Sequence, residues 1–378
     1  MKKKFLFPAI TAFLVMILLS SCKRHDVFLP ICGGDDSLVT TSKVFATGFN
    51  NPRGLKFGPD GNLYVAEGGV GGKNLSGECL PAAGAGPGPY KGSDTGSRIS
   101  MVNCQGMRTT FVDHLPSSTT GPQAGSAITG IADVAFIGNT LYGLIAGAGC
   151  SHGVPNIPNS VIKVNANKTW TIIADYTAFL INHPAKNTEP DDFTPDGNPY
   201  SMINVHNNLY VLEPNHGELD RITPYGNIHR IIDISESQGH IVPTAVTFHK
   251  GFFFIGNLGV FPITGISKIF VVSPNGQINV LATGFSTILG LAFDNHDRLY
   301  VLENTVGAPG PTPGLGDVVR VDPSGKKHVV VSGLNLPTAM TFGPDGRLYI
   351  SNWGIGAPGA GQILQVSFKC EEIKGDND

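Results

Sequence analysis

The chain has 378 residues, 41% of them hydrophobic and only 15% charged, with a formal net charge of −3. That charge content excludes a disordered tail or a coiled coil, and the near-neutral balance provides no field to draw the chain to nucleic acid. The 49 glycines and 27 prolines interrupt regular structure too often for long helices and point to a turn-rich β protein with a sizeable core.

At the N-terminus Lys2, Lys3 and Lys4 precede an apolar run over 5–19, and Leu19-Ser20-Ser21-Cys22 follows. An apolar run of about fifteen residues is short for crossing roughly 30 Å of hydrocarbon, and its flanks suit an export signal. The Leu-Ser-Ser-Cys box resembles the lipobox of bacterial lipoproteins, which implies cleavage before Cys22 and lipidation of its thiol. The expected organisation is a signal peptide at 1–21, a tether at 22–42, a folded domain at 43–369 and a tail at 370–378. The mature protein would be exported and held at the bacterial cell envelope, in the periplasm or at the cell surface, touching membrane only through its acyl chains.

Internal repetition defines the folded region. Gly58-Pro59-Asp60-Gly61-Asn62-Leu63-Tyr64-Val65 returns as Gly343-Pro344-Asp345-Gly346-Arg347-Leu348-Tyr349-Ile350, with a looser copy at 294–301. Each copy reads as a strand, a turn and a second strand. Six first strands (A) end at Phe57, Phe136, Val205, Phe248, Phe293 and Phe342, and six second strands (B) contain Tyr64, Tyr142, Tyr210, Phe254, Tyr300 and Tyr349. Six C strands fall at 98–102, 161–164, 219–222, 268–272, 318–321 and 363–366. Only five D strands follow them, at 110–113, 171–175, 230–234, 279–282 and 328–331. The sixth stands at the other end of the chain: Val44-Phe45-Ala46-Thr47-Gly48-Phe49 matches Val280-Leu281-Ala282-Thr283-Gly284-Phe285. A lone D strand pairing with the orphan C strand at 363–366 closes a ring and protects the sheet edges. The prediction is an all-β, six-bladed β-propeller with four antiparallel strands per blade.

Setting Cys22 aside leaves Cys32, Cys79, Cys104, Cys150 and Cys370, without CxxC spacing. Export permits disulfides. Cys32 with Cys370 would clip the two ends, and Cys79 with Cys150 would join successive long loops; five reduced thiols is the alternative.

Antiparallel order puts the A–B and C–D turns on one face and the B–C and D–A connections on the other. The second set holds the long segments, at 68–97, 147–159, 178–198, 257–267 and 304–316. Binding residues tend to sit on long loops over a rigid scaffold. His152, His216 and His240 fall on this face, with Glu213, Glu218, Asp191 and Asp192 as neighbours, and the B-strand ends add Glu67, Asn257, Glu303, Asn304 and Asn352. Oxygen ligands suit Ca²⁺, and imidazole with carboxylate suits Zn²⁺. The candidate metal set is His152, Glu213, His216 and His240, and the catalytic candidates are His216, His240 and Glu213. Asp191, Asp192, Asn215, Asn257, Glu303, Asn304 and Asn352 are the candidate ligand contacts. The competing reading has these side chains satisfying backbone groups in tight loops. The chain contains no Gly-rich phosphate loop, HExxH or GxSxG motif, and no basic stripe that would suit nucleic acid.

Several of these loop segments also carry a family resemblance. Asn51-Pro52-Arg53-Gly54-Leu55, Ala146-Gly147-Ala148-Gly149-Cys150-Ser151-His152-Gly153, Glu213-Pro214-Asn215-His216-Gly217-Glu218-Leu219-Asp220-Arg221, Gln238-Gly239-His240-Ile241-Val242-Pro243-Thr244 and Ser351-Asn352-Trp353-Gly354 resemble the ScyD/ScyE family. The likeness runs from Val44 to Val366 and implies an exported six-bladed propeller of the broad NHL-like and SMP-30-like class, without implying a particular reaction. The expected function is non-catalytic binding of a small molecule, glycan or protein on the long-loop face. The alternative is a metal-dependent, lactonase-like hydrolase or lyase acting there.

Overall fold

Each copy of the Gly-Pro-Asp-Gly repeat makes a hairpin for a local reason. Gly61 has φ of +79°, which costs glycine nothing, and its N–H donates to the Gly58 carbonyl at 2.9 Å. Asp60 accepts from the Asn62 amide at 3.1 Å and from the Tyr64 hydroxyl at 3.0 Å. Asp345 and Tyr349 repeat that bond at 2.8 Å, so Asp, Gly and Tyr recur together because one turn uses all three.

The computed structural model describes residues 38–75, 89–120, 128–188, 196–260, 262–263 and 265–370. These form six blades of four antiparallel strands. Blade 1 is Pro52–Phe57, Leu63–Glu67, Lys91–Val102 and Arg108–Thr119, extended by the two-residue strands Asn74–Leu75 and Ile128–Thr129. Blade 2 is Ile131–Ile137, Thr140–Ile145, Ser160–Val164 and Trp170–Asp175, and blade 3 is Ser201–Val205, Asn208–Glu213, Glu218–Ile222 and Ile228–Asp233. Blade 4 is Pro243–His249, Phe252–Asn257, Ser267–Val272 and Ile278–Phe285, and blade 5 is Ile288–Phe293, Leu299–Glu303, Gly316–Val321 and Lys327–Leu334. Blade 6 takes Ala339–Phe342, Leu348–Asn352 and Gly361–Cys370 from the C-terminal end and its outermost strand, Leu38–Phe49, from the beginning.

Val44 stands opposite Leu364 and Ala46 opposite Ile363, as the duplicated D-strand sequence requires. The ladder also continues to Leu38 opposite Cys370, so ordered pairing begins within the stretch read as tether. Every A strand touches the A strands of both neighbouring blades, including the last with the first, so the A strands line the centre. The recurrent aromatics are one contact repeated between blades. A B-strand ring packs edge-on against the terminal A-strand Phe of the next blade, with centroids 5.0 Å apart for Tyr64–Phe136 and 4.9 Å for Phe254–Phe293. Tyr300–Phe342 at 5.1 Å and Tyr349–Phe57 at 4.9 Å continue the series across the chain closure.

Two short helices interrupt D–A connections read as loops. α1 (Tyr176–Asn182) starts where Asp175 accepts from the Ala178 amide at 2.8 Å, and α2 (Ile234–Gln238) where Asp233 accepts from Glu236 at 3.1 Å. Cys104, Cys150 and Cys370 are each disulfide-bonded. Cys104 has no place in the pairings expected from sequence, whereas the proposed partners Cys32 and Cys79 lie outside the described residues.

Candidate functional site

A ring of hydrogen bonds fixes the N-terminal ends of the A strands to their neighbours. Met202 N donates to Asp133 Oδ2 at 2.8 Å, Ser201 Oγ to the Thr244 carbonyl at 2.5 Å and Thr244 Oγ1 to Ile288 at 2.5 Å. Asn304 Nδ2 donates to Pro337 at 2.8 Å, Thr338 Oγ1 donates to Pro52 at 2.6 Å, and an Arg53 N–H reaches the Ile128 carbonyl. The first five bonds cross between blades, the Arg53 bond ties the blade 1 A strand to the last strand of its own sheet, and together they make a collar.

Above the collar, on the long-loop face, lies a cavity of about 600 Å³ to which all six blades contribute. Its walls are mainly apolar, with Ile128, Val242, Leu258, Leu289 and Ile355 prominent. Arg53, Tyr200, Thr244, Asn215, His240 and Asn304 are among the polar positions. No carboxylate lines it among the described residues. The size and composition are those of small-molecule sites.

The candidates divide sharply around this cavity. His240, Asn215 and Asn304 are on its wall. Glu213 is not, because both its oxygens accept backbone amides, Asn198 at 2.7 Å and His216 at 2.5 Å. Glu303 accepts from Ser286 N, and Asn352 accepts from Asn335 N at 2.8 Å. Asn257 accepts from Lys268 N at 2.7 Å and donates to the Ile241 carbonyl at 2.8 Å. Glu67 likewise holds Asn50 N at 2.6 Å. The polar residues that end the B strands therefore fasten the entering D–A connections and do not form a ligand ring. Asp191 and Asp192 lie outside the described residues.

The histidines do not converge on one ion. His152 is fully buried under the Tyr90 ring, centroids 4.9 Å apart, with Nδ1 3.3 Å from Ser151 Oγ. Burial pushes it down to about 4, so it is neutral near pH 7. His216 is buried in blade 3 with Nδ1 3.8 Å from Glu218 Oε1, beyond hydrogen-bond reach, and neither ring nitrogen has a partner. Around it burial raises both Glu218 and Asp220 above the carboxylate range, while Arg230 pairs with Glu218 and the Tyr176 hydroxyl donates to Asp220. Among the described residues no three His, Cys, Asp or Glu side chains are grouped to hold an ion. With Glu213 engaged by amides and only His240 on the cavity wall, the predicted set does not fit Ca²⁺ or Zn²⁺.

Sequence reading missed Arg53, Tyr90 and Tyr200. The signal for Arg53 was present. Four residues before the A-strand ends stand Arg53, Ala132, Ser201, Thr244, Leu289 and Thr338, and only one of these is charged.

Fold and cavity together define a six-bladed propeller with a small-molecule-sized pocket at one mouth of its central channel. Among solved structures it is similar to a gluconolactonase from Xanthomonas campestris (TM-score 0.56, 10% identity, 91% of this chain and 96% of that one). It is also similar to a protein of unknown function from Bacteroides thetaiotaomicron (TM-score 0.54, 10% identity, 88% and 76%). A putative glucose dehydrogenase from Thermus thermophilus gives a TM-score of 0.52 at 16% identity, over 86% and 99%. Likeness at such identity is one of fold alone. No protein-family model and no curated protein matches the chain.

Proposed function

We propose that this chain is an exported, lipid-anchored cell-envelope protein of ScyD/ScyE type whose propeller binds a small, largely apolar molecule without transforming it. The supporting observation is the 600 Å³ cavity at the long-loop mouth, walled by apolar side chains and free of lining carboxylates among the described residues. An uncharged fluorescent probe, N-phenyl-1-naphthylamine, tests the binding role. It should saturate at one molecule per chain and fail to bind Val260→Trp, since Val260 lines the cavity at its exposed edge. Retained binding in that variant would remove the cavity from the account. Anchoring rests on the Leu19-Ser20-Ser21-Cys22 box. Mass spectrometry of the mature N-terminal peptide should find acylated Cys22, and Cys22→Ala should release the protein from membranes.

The alternative, a lactonase-like hydrolase or lyase, draws on one observation: His240 is on the cavity wall, where a general base would have to be. It requires turnover of a lactone that His240→Ala abolishes while probe binding persists.

A further inference from the structure

The cavity wall offers hydrogen-bond donors around a single fixed positive charge. Arg53 is the only Lys or Arg on it, and no Asp or Glu lines it among the described residues. The guanidinium is fixed on one side, where an N–H donates to the Ile128 carbonyl. On the other it has the Tyr200 oxygen as an electrostatic neighbour, and the Tyr200 hydroxyl itself donates to the Thr338 carbonyl at 3.1 Å. The neighbouring acid, Asp133, has its Oδ1 engaged by Val134 N and its Oδ2 by Met202 N, both at 2.8 Å, so it does not chelate the guanidinium. A guanidinium carries five N–H donors in a rigid plane, and a fork oriented in this way accepts a bidentate oxyanion. Asn215 also lines the cavity; it is only 7% exposed and its Nδ2 has no acceptor in the protein. A buried donor left without an acceptor is unfavourable.

We infer that the occupant is amphipathic, with an apolar ring-sized body against Ile128, Leu258 and Leu289 and a carboxylate or similar oxyanion on the Arg53 fork. This rests on the proposed binding role of the cavity and narrows it to a class of ligand. The juxtaposition is one guanidinium in a mainly apolar wall that contains no acid among the described residues. Such a site discriminates against the neutral analogue of an acid, because that analogue leaves the cation without a counter-charge.

Displacement of bound N-phenyl-1-naphthylamine by 2-naphthoate and by its isosteric amide, 2-naphthamide, tests this on the complete soluble domain. Naphthoate should displace the probe at a concentration at least tenfold lower than the amide. Arg53→Gln should bring the two competitors within about twofold of each other while the probe still binds. Tyr200→Phe, which removes the oxygen neighbouring the guanidinium, should narrow the preference several-fold, and it serves as the readout if Arg53→Gln does not fold. Equal displacement by acid and amide, or a preference that survives both substitutions, overturns the oxyanion assignment and leaves the apolar binding role standing. A probe that does not bind, or binds Val260→Trp unchanged, removes the binding role and this inference with it.

Discussion

Gly54→Ala is a one-methyl substitution aimed at the collar. A Cβ built at Gly54 would lie 1.9 Å from Asp133 Oδ1, 2.3 Å from its Cγ and 2.8 Å from its Cα. The last atom is backbone, so rotating the carboxylate away does not clear the contact. Asp133 is 5% exposed and accepts Met202 N across the junction of blades 2 and 3. Overpacking a tight core costs about 1–3 kcal/mol, and stranding a buried amide or carboxylate oxygen costs about 1–3 kcal/mol more. The expected loss is therefore about 2–6 kcal/mol, which for a propeller of roughly 330 residues lowers the melting temperature by about 3–9 °C. Urea titration followed by tryptophan fluorescence measures it, using Trp170 in blade 2. A loss below about 1 kcal/mol would refute the claim that backbone approach at Gly54 sets the collar's geometry. Because Arg53 is the preceding residue, the same variant should also weaken probe binding.

Three further outcomes follow. Thr338→Val removes the 2.6 Å bond from blade 6 to Pro52 and should cost about 1–2 kcal/mol in the same titration; a change within 0.5 kcal/mol would mean the hydroxyl does not help close the ring. Burial raises Glu303 to about 8, facing Asp317, which is raised as well. A carboxyl whose folded pKa lies above its unfolded value binds the proton more tightly when folded. Stability should therefore fall as pH climbs from about 4.5 to 8, and Glu303→Gln should flatten that slope; an unchanged slope contradicts the burial argument. Alkylation under denaturing, non-reducing conditions should leave Cys104, Cys150 and Cys370 unmodified, and labelling of any of the three would contradict the bonded state found here.

The architecture was legible because repetition exposes it. A turn that needs Asp, Gly and Tyr together writes the same letters each time, and the stray copy at 44–49 disclosed the closure. The site was less legible because composition does not give a side chain's direction. Glu or Asn at the end of a B strand reads equally as a ligand ring or as an acceptor for the next loop, and local hydrogen bonding decides for the second at Glu213, Glu303 and Asn352. His152 and His216 sit on the predicted face but turn into blade interiors, His152 against the Tyr90 ring and His216 buried in blade 3. Arg53 was hidden in the opposite way, as an ordinary strand residue until the six equivalent positions are compared.

A crystal structure of the soluble domain grown with 2-naphthoate bears most directly on whether the long-loop cavity is the working site. The naphthyl body should lie between Ile128 and Leu289 with both carboxylate oxygens on Arg53. Naphthoate found on the opposite mouth, among Lys56, Asn204 and His206, or a cavity left empty at saturating concentration, would contradict it.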